Sequence, residues 1–446
     1  MADQRYFQPE IETMPVEKLK ALQLERLKAQ IERIYHTNDW YRAYFEHSGV
    51  KPSDIKRLED IHKLPFLEKR TVRDAYPMKM VCAPHQQLLE MHATSGTTGK
   101  PVLMFATRKD LDCWADLNAR ELWMVGLRPG DSLLNAYGYG LPTGGFGFHY
   151  GAHKIGVLAI PTSSGQAERQ VELLYDLGVT AFCMTPSFAL YCGQKAVEKG
   201  LDMRRAPCKI GLFGAEPWTW ETRQKIEQLF GITAYDEFGM TEFLGPGQTC
   251  ECDVRDRSCG MHAWADAFLC ECIDPETGES VDDGQPGELV WTALAFEGTP
   301  FIRYRSRDLS ALTWQPCSCG RTHPRIAAIK GRSDDAVSIS GFIVFPSQVE
   351  AALLRFDEMG ANFRVLLETD ARQMDYFTLK VELKDAALLG NAEVCRELTE
   401  RMREAVQATA GVSPKEVDLV APDSLPRVTT GEGKTASARV EDRRKK

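Results

Sequence analysis

Hydrophobic residues recur along residues 15–48 at intervals of three or four positions, with charged residues between them. That spacing places the apolar side chains on one face of a helix. It predicts a single outer helix over this segment, packed against the main body of the protein. A second long helix is predicted over residues 109–125, where Leu111, Trp114 and Leu122 supply the apolar face.

Short apolar runs alternate with helical patterns through the middle of the chain. This alternation is typical of parallel sheets covered by helices on both faces. Ligands of such sheets bind at the carboxyl ends of the strands, and Gly214 follows one of those predicted ends. The predicted strands are 132–137, 157–160, 181–184 and 209–213, and the predicted helices are 147–156, 166–177 and 187–199.

Around residue 250 this alternation ends. Short strands, glycine turns and paired cysteines replace it, which predicts a smaller β-rich lobe over about residues 246–330, with strands at 287–292 and 299–304. From residue 334 onward the pattern predicts a compact α+β unit. Its predicted strands are 336–340, 363–369, 376–383 and 416–420, and its predicted helices are 346–355 and 392–407.

These patterns together predict an α/β protein with two domains. A large multi-lobed N-terminal domain (1–333) combines mixed and parallel sheets flanked by helices with the β-rich lobe. A small, mobile α+β domain (334–446) follows it. The length of 446 residues agrees with this division, because single cores usually stop growing at about 250–300 residues.

Charge and composition narrow the class of protein. A formal net charge of −9 at pH 7 argues against nucleic acid or a membrane surface as a partner, since neither attracts an anion. The first residues carry charges and no apolar core, so no signal peptide is predicted. No apolar run reaches the ~18 residues that a membrane span needs. We therefore expect a cytoplasmic protein.

Cysteine usage points to a metal more than to disulfides. The chain has 13 cysteines, and an odd number argues against a simple disulfide framework. Zinc takes four sulfur or imidazole ligands, often delivered in pairs on tight turns, and the pair at Cys317 and Cys319 suits this role. Free buried cysteines are the alternative interpretation. Candidates for the remaining ligands are Cys250, Cys252, Cys259 and His262.

Residues 94–101 have the sequence Thr-Ser-Gly-Thr-Thr-Gly-Lys-Pro. Glycines let backbone N–H groups approach a phosphate, and the hydroxyls and the ammonium group add hydrogen-bond donors. The segment is not a Walker A loop, because Pro101 follows Lys100 where that motif has serine or threonine. Taken alone, it is better interpreted as a flexible turn than as a phosphate site.

Four further motifs follow this loop in order: Tyr-Asp-Glu-Phe-Gly-Met-Thr-Glu at 235–242, Arg-Tyr-Arg-Ser-Arg-Asp at 303–308, Gly-Arg-Ser-Asp-Asp at 331–335, and Gly433-Lys434. The set resembles the adenylate-forming ligases, most closely the phenylacetate–coenzyme A ligase family. The resemblance implies that ATP activates a carboxylic acid to an acyl-adenylate with release of pyrophosphate. It also implies that coenzyme A then takes the acyl group.

The implied chemistry requires positive charge at the site. A carboxylate is a poor electrophile, and joining it to AMP supplies a stable leaving group. Bringing two anions together requires cationic groups and Mg²⁺. By the resemblance, Glu242 binds Mg²⁺, and Lys434 reaches between the carboxylate and the α-phosphate. The alternative for Lys434 is one more cation in a basic tail.

The resemblance also implies how the nucleotide binds. Tyr235 or Phe238 stacks against adenine, and Asp308 accepts both ribose hydroxyls with its two oxygens. Arg332 contacts ribose or phosphate, and the loop at 94–101 holds the β- and γ-phosphates, with Thr94 counted as catalytic. The other implied cofactor-binding residues are Ser95, Gly96, Thr97, Thr98, Gly99, Lys100, Gly214, Ala215, Glu216, Asp236, Gly239, Met240 and Thr241.

Two more roles follow from the same resemblance. The family rotates its C-terminal domain between the two half reactions, and Asp334 matches the hinge. Gly341 matches the strand that flanks the pantetheine arm of coenzyme A. The family's Cys…Gly-x-His…Cys-x-Cys arrangement points to a structural zinc, and its ligands here are Cys252, His262, Cys317 and Cys319.

The acid pocket in this family is lined by a glycine-rich segment. The matching residues here are Tyr137, Gly138, Pro142 and Gly214. A phenylalanine is expected where this chain has Pro142, so an aryl acid other than phenylacetate is plausible, such as a hydroxy- or aminobenzoate or an indole acid. The alternatives to a coenzyme A ligase are an adenylase with an amine or hydroxyl acceptor and a non-catalytic nucleotide-binding protein. The oligomeric state stays open, with a homodimer as one candidate.

Overall fold

The structure is a computed structural model that describes residues 5–94, 100–256, 260–333, 337–339, 342–369, 375–426 and 439–444. The α-helices of this part of the chain are α1 (Pro9–Glu12), α2 (Val16–Thr37), α3 (Asp39–His47), α4 (Lys69–Asp74), α5 (Arg108–Met124), α6 (Gly144–Ile155), α7 (Ala167–Asp176), α8 (Pro186–Glu198), α9 (Trp220–Phe230), α10 (Pro346–Leu353) and α11 (Ala392–Ala410). None of these helices combines the length and the hydrophobicity needed to cross a lipid bilayer.

The strands in the same described ranges are β1 (Leu88–Ala93), β2 (Leu103–Thr107), β3 (Ser132–Asn135), β4 (Leu158–Ile160), β5 (Ala181–Met184), β6 (Ile210–Phe213), β7 (Thr233–Phe238), β8 (Thr249–Glu251), β9 (Met261–Ala263), β10 (Phe268–Ile273), β11 (Pro286–Ala293), β12 (Tyr304–Thr313), β13 (Arg325–Ile326), β14 (Gly331–Arg332), β15 (Val337–Ile339), β16 (Phe342–Val344), β17 (Met359–Thr369), β18 (Asp375–Leu383), β19 (Glu416–Val420) and β20 (Val440–Asp442).

The predicted single helix at 15–48 is wrong, because the helix is interrupted at Asn38. This residue has extended backbone between α2 and α3. Its side-chain oxygen accepts a hydrogen bond from the backbone N–H of Tyr41, 3.0 Å away, which caps the second helix. Its amide nitrogen donates to the carbonyls of Lys79 and Val81 at 3.0 and 2.9 Å. The Asn38 side chain therefore caps α3 at the end of α2. Its two other hydrogen bonds attach this junction to the segment that contains Lys79 and Val81.

Twelve strands of the described residues form one sheet, in the order β10-β11-β12-β13-β9-β8-β7-β6-β5-β3-β4 with β14 beside β12. Strands β4, β3, β5, β6 and β7 are parallel, and helices α6 to α9 connect them. The predicted alternation of strands and helices is confirmed here. Helix α6 starts earlier than predicted, because the backbone N–H groups of Phe146 and Gly147 donate to the Thr143 carbonyl.

Beyond β7 the same sheet continues with antiparallel pairs, as the short strands and glycine turns predicted. The strand predicted at 299–304 is wrong, since β12 begins only at Tyr304. Arg303 has a φ of +49°, which interrupts an extended ladder. Its guanidinium instead donates to Glu271 and to the carbonyls of His62 and Leu64.

A separate sheet lies in the C-terminal part of the chain, with the order β19-β18-β17-β20. Its last strand, β20, pairs with β17 in parallel, although no strand was predicted beyond residue 420. A core of its own lies between this sheet and helices α10 and α11. Leu354 packs against this core and also against the helices that cover the parallel strands. The predicted α/β class, with a large sheet flanked by helices and a smaller α+β unit, is confirmed.

A buried ion pair joins the N-terminal segment, α5 and the antiparallel strands. Arg120 donates two hydrogen bonds to the Asp266 carboxylate, at 2.7 and 3.0 Å, and one to the side chain of Gln8. Its guanidinium also lies over the ring of Trp264, 5.3 Å from the centroid. Burial alone raises the pKa of Asp266, but the charge and hydrogen bonds of Arg120 lower it to about 2.

Replacing Asp266 by asparagine is expected to lower the free energy of unfolding by about 3–5 kcal/mol, because it leaves the buried Arg120 charge unpaired. Urea denaturation measures this loss. The folded-state pKa of Asp266 lies below its unfolded value, so its stabilisation is present above about pH 4 and disappears as pH falls toward 2. The difference between wild type and Asp266→Asn should shrink over that range.

The matched control is Asp202→Asn, which removes an exposed carboxylate that also pairs with an arginine, Arg204. Water and salt screen such surface pairs, so little change in stability is expected. Equal effects of the two substitutions would contradict the role given to the buried pair.

Candidate active site and metal centre

Several of the residues singled out from the sequence lie at one edge of the large sheet. Strands β3, β5, β6 and β7 are parallel, so their carboxyl ends meet at this edge, where ligands bind in such sheets. Tyr137 follows β3, Gly214 follows β6, and residues 239–242 follow β7.

Gly214 is packed directly against the end of β7. A Cβ atom at this position would lie 2.3 Å from Oε1 of Glu237 and 2.4 Å from its carbonyl oxygen, so no larger residue fits without displacing backbone. Ala215 has a φ of +68°, which turns the chain sharply away from the sheet. Oε1 of Glu216 accepts a hydrogen bond from the backbone N–H of Ser187, 2.6 Å away.

The glycine-rich segment folds back on itself beside Gly214. The hydroxyl of Tyr137 donates to the Met184 carbonyl at 3.0 Å, and its ring stacks on Phe148. The carbonyl of Gly138 accepts from the N–H of Gly145 at 3.2 Å, where a Cβ would lie only 2.7 Å from that oxygen. These contacts hold Tyr137 and Gly138 in place, and Pro142 is half-buried in the same segment.

The residues of the motif at 235–242 differ in burial: some lie in the core and others are accessible to a ligand. Tyr235 is only 8% exposed, whereas Phe238 is half-buried and stacks on Trp291 with centroids 6.1 Å apart. This difference favours Phe238 over Tyr235 as a surface for a flat ring. The carboxylate of Asp236 accepts from the indole N–H of Trp218 at 2.7 Å. Burial, followed by the charge of Glu251, raises the pKa of Asp236.

The end of the motif forms a tight turn. A Cβ on Gly239 would lie 2.8 Å from the Cα of Gly245, so the two segments meet backbone to backbone. The N–H of Met240 donates to the side-chain oxygen of Gln248. Thr241 opens a short 3₁₀ helix, Thr241–Phe243, that carries Glu242.

Glu242 lies in a buried polar environment. Its Oε1 accepts a hydrogen bond from the hydroxyl of Tyr304 at 3.0 Å, and the ammonium of Lys69 is 4.0 Å from the same oxygen. Burial and the neighbouring Glu242 raise the pKa of Tyr304, so the hydroxyl stays protonated and donates. A carboxylate held in this way suits a hard cation such as Mg²⁺.

Asp308 and Arg332 lie opposite each other on β12 and β14. The guanidinium of Arg332 is 3.4 Å from Oδ1 of Asp308 and donates to the Ser306 carbonyl at 2.7 Å. The backbone N–H of Asp308 donates to the Ser306 hydroxyl. The register of two strands therefore brings together the two residues that were predicted to contact ribose.

Thr94 closes the base of the predicted phosphate loop. Its N–H donates to the Val102 carbonyl at 3.0 Å, and its hydroxyl accepts from the Val102 N–H at 3.0 Å. Lys100 points toward the ring of Tyr76, with its ammonium 5.0 Å from the centroid. The predicted site residues that lie outside the described residues are Ser95, Gly96, Thr97, Thr98, Gly99, Cys259, Asp334, Gly341 and Lys434.

A second cluster lies away from this edge, on the antiparallel part of the sheet. The ligand atoms of its four residues, all within 4.8 Å of one another, belong to Cys252, His262, Cys317 and Cys319. Two sulfur atoms, of Cys252 and Cys317, are 3.7 Å apart. The Cys319 sulfur is 3.2 Å from Nε2 of His262. Tetrahedral zinc with Zn–S bonds of ~2.3 Å separates its ligand atoms by about 3.5–3.8 Å.

The surroundings of the cluster favour metal binding. Nδ1 of His262 lies 3.2 Å from the His323 carbonyl; it can donate there only as N–H, which leaves Nε2 as the ligand atom. Gly320 has a φ of +85°. This left-handed residue turns the chain after Cys317 and Cys319 and before β13. Cys250, one of the alternatives from the sequence, instead donates to the Glu251 carbonyl.

Sequence reasoning missed several residues of the sheet edge. Glu237 lies inside a recognised motif, but a glutamate in an alternating strand is ordinarily read as exposed. Tyr304 and Lys69 approach Glu242 from distant segments, and no local pattern predicts such contacts. Trp218, four residues after Gly214, could have indicated one of these contacts. A buried indole N–H needs an acceptor, and here that acceptor is Asp236.

Comparison with known proteins gives two family matches. The model of the AMP-binding enzymes matches residues 14–293, and the model of the C-terminal domain of AMP-binding enzymes matches residues 341–444. The phenylacetate–coenzyme A ligase of Aromatoleum evansii is 41% identical over 98% of this chain and 97% of its own length. The enzyme of the same name from Thermus thermophilus is 38% identical over 95% of this chain and 97% of its own length.

Solved structures of a 2-hydroxyisobutyryl-CoA ligase are also similar. In the postadenylation state with 2-HIB-AMP, that protein is 31% identical and superposes with a TM-score of 0.91 over 99% of this chain and 93% of its own. In the thioesterification state with 2-HIB-AMP and CoA, the TM-score is 0.72 at 32% identity, over 100% and 94% of the two chains. The arrangement of this chain is therefore closer to the postadenylation state.

Replacing Gly214 by alanine is expected to lower the free energy of unfolding by about 1–3 kcal/mol, because the added methyl group overlaps the backbone of β7. Chemical denaturation measures the change. The control is Gly390→Ala, where a Cβ has no heavy atom within 4 Å. A Gly214→Ala variant as stable as the Gly390→Ala variant would show that the end of β6 can move away from β7 without loss of stability.

Proposed function

The chain belongs to the AMP-binding enzymes, in the phenylacetate–coenzyme A ligase family, and we propose that it joins an aromatic carboxylic acid to coenzyme A through an acyl-adenylate. It is an acid–thiol ligase that forms AMP. The observation that carries this function is similarity over nearly the whole chain to phenylacetate–coenzyme A ligases, at 41% identity in one case. The clustering of Tyr137, Gly214 and the 235–242 motif at one sheet edge supports it.

The first half reaction joins two anions, and we assign their neutralisation to Lys434 and to a Mg²⁺ ion held by Glu242. Bound to Glu242, Mg²⁺ would offset charge on the phosphates. Glu242 is suited to this role because Tyr304 orients one of its oxygens through a hydrogen bond of 3.0 Å. Asp308 accepts the ribose hydroxyls, and Phe238 offers its ring to adenine. We also assign binding of the β- and γ-phosphates to the loop at 94–101.

The second half reaction requires a different arrangement of the C-terminal part, with Asp334 as hinge and Gly341 beside the pantetheine arm. The TM-scores of 0.91 and 0.72 for two states of one related ligase support such a difference. In the present arrangement Arg439 pairs with Glu350, and Glu216 acts electrostatically on both.

A panel of aromatic acids tests the proposed function. Pyrophosphate release is followed with each acid, ATP and Mg²⁺, with and without coenzyme A, and AMP and the coenzyme A ester are quantified together. Stoichiometric AMP and thioester are expected for at least one acid. AMP without thioester would indicate another acceptor, and no exchange of labelled pyrophosphate with any acid would overturn the proposal.

Lys434→Ala is expected to abolish adenylate formation and to leave thioester formation from preformed acyl-adenylate largely intact. The reason is that an ammonium at the α-phosphate stabilises only the transition state of the first half reaction. Separate assays of the two half reactions measure this. The control is Lys384→Ala, which removes an exposed lysine of the same part of the chain and should change neither rate. Equal loss of both half reactions would refute the assignment.

We propose that Cys252, His262, Cys317 and Cys319 bind one structural zinc ion. The distances of 3.7 and 3.2 Å between pairs of ligand atoms support it. The zinc would connect the end of β8 and the middle of β9 with the turn before β13; β8 and β9 are two and three strands along the sheet from β6, which precedes Gly214. The described cysteines form no disulfide, which supports the proposed cytoplasmic location.

One zinc ion per chain is expected by metal analysis, and Cys319→Ser is expected to lose it. The unfolding temperature should fall as well, because binding energy at such a site is folding energy. The control is Cys272→Ser, which alters a buried thiol on β10, at the edge of the same sheet, and should retain zinc. Wild-type protein purified without stoichiometric zinc, or a Cys319→Ser variant that keeps it, would exclude the site.

A further inference from the structure

Glu237 carries a buried carboxyl group whose hydrogen bonds are incomplete. The residue is 5% exposed. Its Oε1 is 3.5 Å from the hydroxyl of Tyr137, a long contact for two oxygen atoms. Its Oε2 has no hydrogen-bond partner within the described residues. Leaving a buried polar atom unpaired costs free energy, so the group is expected to have a partner when the enzyme works.

The carboxyl group lies between two walls of the proposed acid pocket. Gly214, which follows β6, makes room for it, since a Cβ there would be 2.3 Å from Oε1. Tyr137, which follows β3, approaches the same oxygen from the other side. Glu237 itself is the next-to-last residue of β7, at the sheet edge where ligands of parallel sheets bind.

Neither neighbour satisfies the group. The Tyr137 hydroxyl has a single proton, and it donates that proton to the Met184 carbonyl at 3.0 Å. Gly214 has no side chain to offer. The carboxyl group therefore keeps both donor and acceptor capacity for a ligand, provided that it is protonated.

The surroundings of Glu237 favour the protonated form. Burial, followed by the charge of Asp236, raises the pKa of Glu237 to about 8. At neutral pH the group is then mostly an uncharged carboxylic acid with one O–H donor and one carbonyl acceptor. An uncharged group also avoids repulsion with the carboxylate of the substrate, which must enter the same pocket.

We propose that Glu237 is a specificity-determining residue, which hydrogen-bonds a hydroxyl or amino substituent on the ring of the aromatic acid. This inference rests on the proposed function and names the class of substrate. An unsubstituted ring would leave the carboxyl group unpaired in a dry pocket, and sites built around a buried polar group reject ligands that lack its partner. A preference of about 10- to 100-fold is expected from one such hydrogen bond.

The experiment compares acids in matched pairs. Benzoate and phenylacetate are assayed beside their ortho, meta and para hydroxyl and amino derivatives, by kcat/KM for pyrophosphate exchange. Wild-type enzyme should prefer one substituted acid over its parent by at least about tenfold. Glu237→Leu should reduce that ratio to near one, mainly by loss on the substituted acid. Glu237→Gln, which keeps a donor and an acceptor, should retain most of the ratio.

The possible outcomes distinguish failure of this inference from failure of the proposed function. No exchange with any acid would overturn the proposed function and this inference with it. Exchange that is fastest with an unsubstituted parent acid would overturn the inference alone, and this result needs no variant to fold. A Glu237→Leu variant that keeps the wild-type ratio would also overturn it. Unfolding temperatures and ATP binding of both variants verify that the fold and the nucleotide site persist.

Discussion

The close approach of β6 to β7 at Gly214 is the constraint on which the site depends. Parallel pairing in register sets the distance between the strands, and the absence of a side chain at Gly214 lets the Glu237 carboxyl group and its backbone occupy the space beside it. The chain can then turn away sharply at Ala215, whose φ is positive. Glu216 follows this junction directly, and Tyr137 approaches it through the Glu237 carboxyl group.

Four acidic side chains lie at or near the proposed site, and each has different hydrogen-bond or charge partners. Asp236 accepts a hydrogen bond from Trp218, Glu242 accepts one from Tyr304, and Asp308 faces Arg332 across a strand pair. Glu237 has the fewest contacts of the four. Since a site that binds ATP and a carboxylate gains nothing from additional negative charge, a protonated Glu237 is the arrangement that agrees with the chemistry.

The sequence predicted the parallel half of the fold well, because each buried strand and its covering helix carry local periodicity. It missed the break at Asn38, since the hydrogen-bond partners of that side chain at Lys79 and Val81 are distant in sequence. Strand β20 was missed because only its pairing with β17 makes it a strand. Motif order supplied the candidate nucleotide-binding residues. Cysteine spacing alone left Cys250 and Cys252 open, the family resemblance pointed to Cys252, and the cluster of ligand atoms agrees because it contains Cys252.

The described residues on either side of Lys434 are both held by the C-terminal part of the chain. Before it, the backbone N–H of Leu425 donates to Glu382 at 2.8 Å, and Asn362 donates to the Pro426 carbonyl. After it, Arg439 pairs with Glu350, and β20 joins the same four-stranded sheet. In the part of the chain that the structure describes, these attachments are made to the C-terminal sheet and to helix α10, and none of them is made to β6, which precedes Gly214. A movement of the C-terminal unit therefore moves both flanking segments together, which agrees with the proposal that Lys434 acts in only one half reaction.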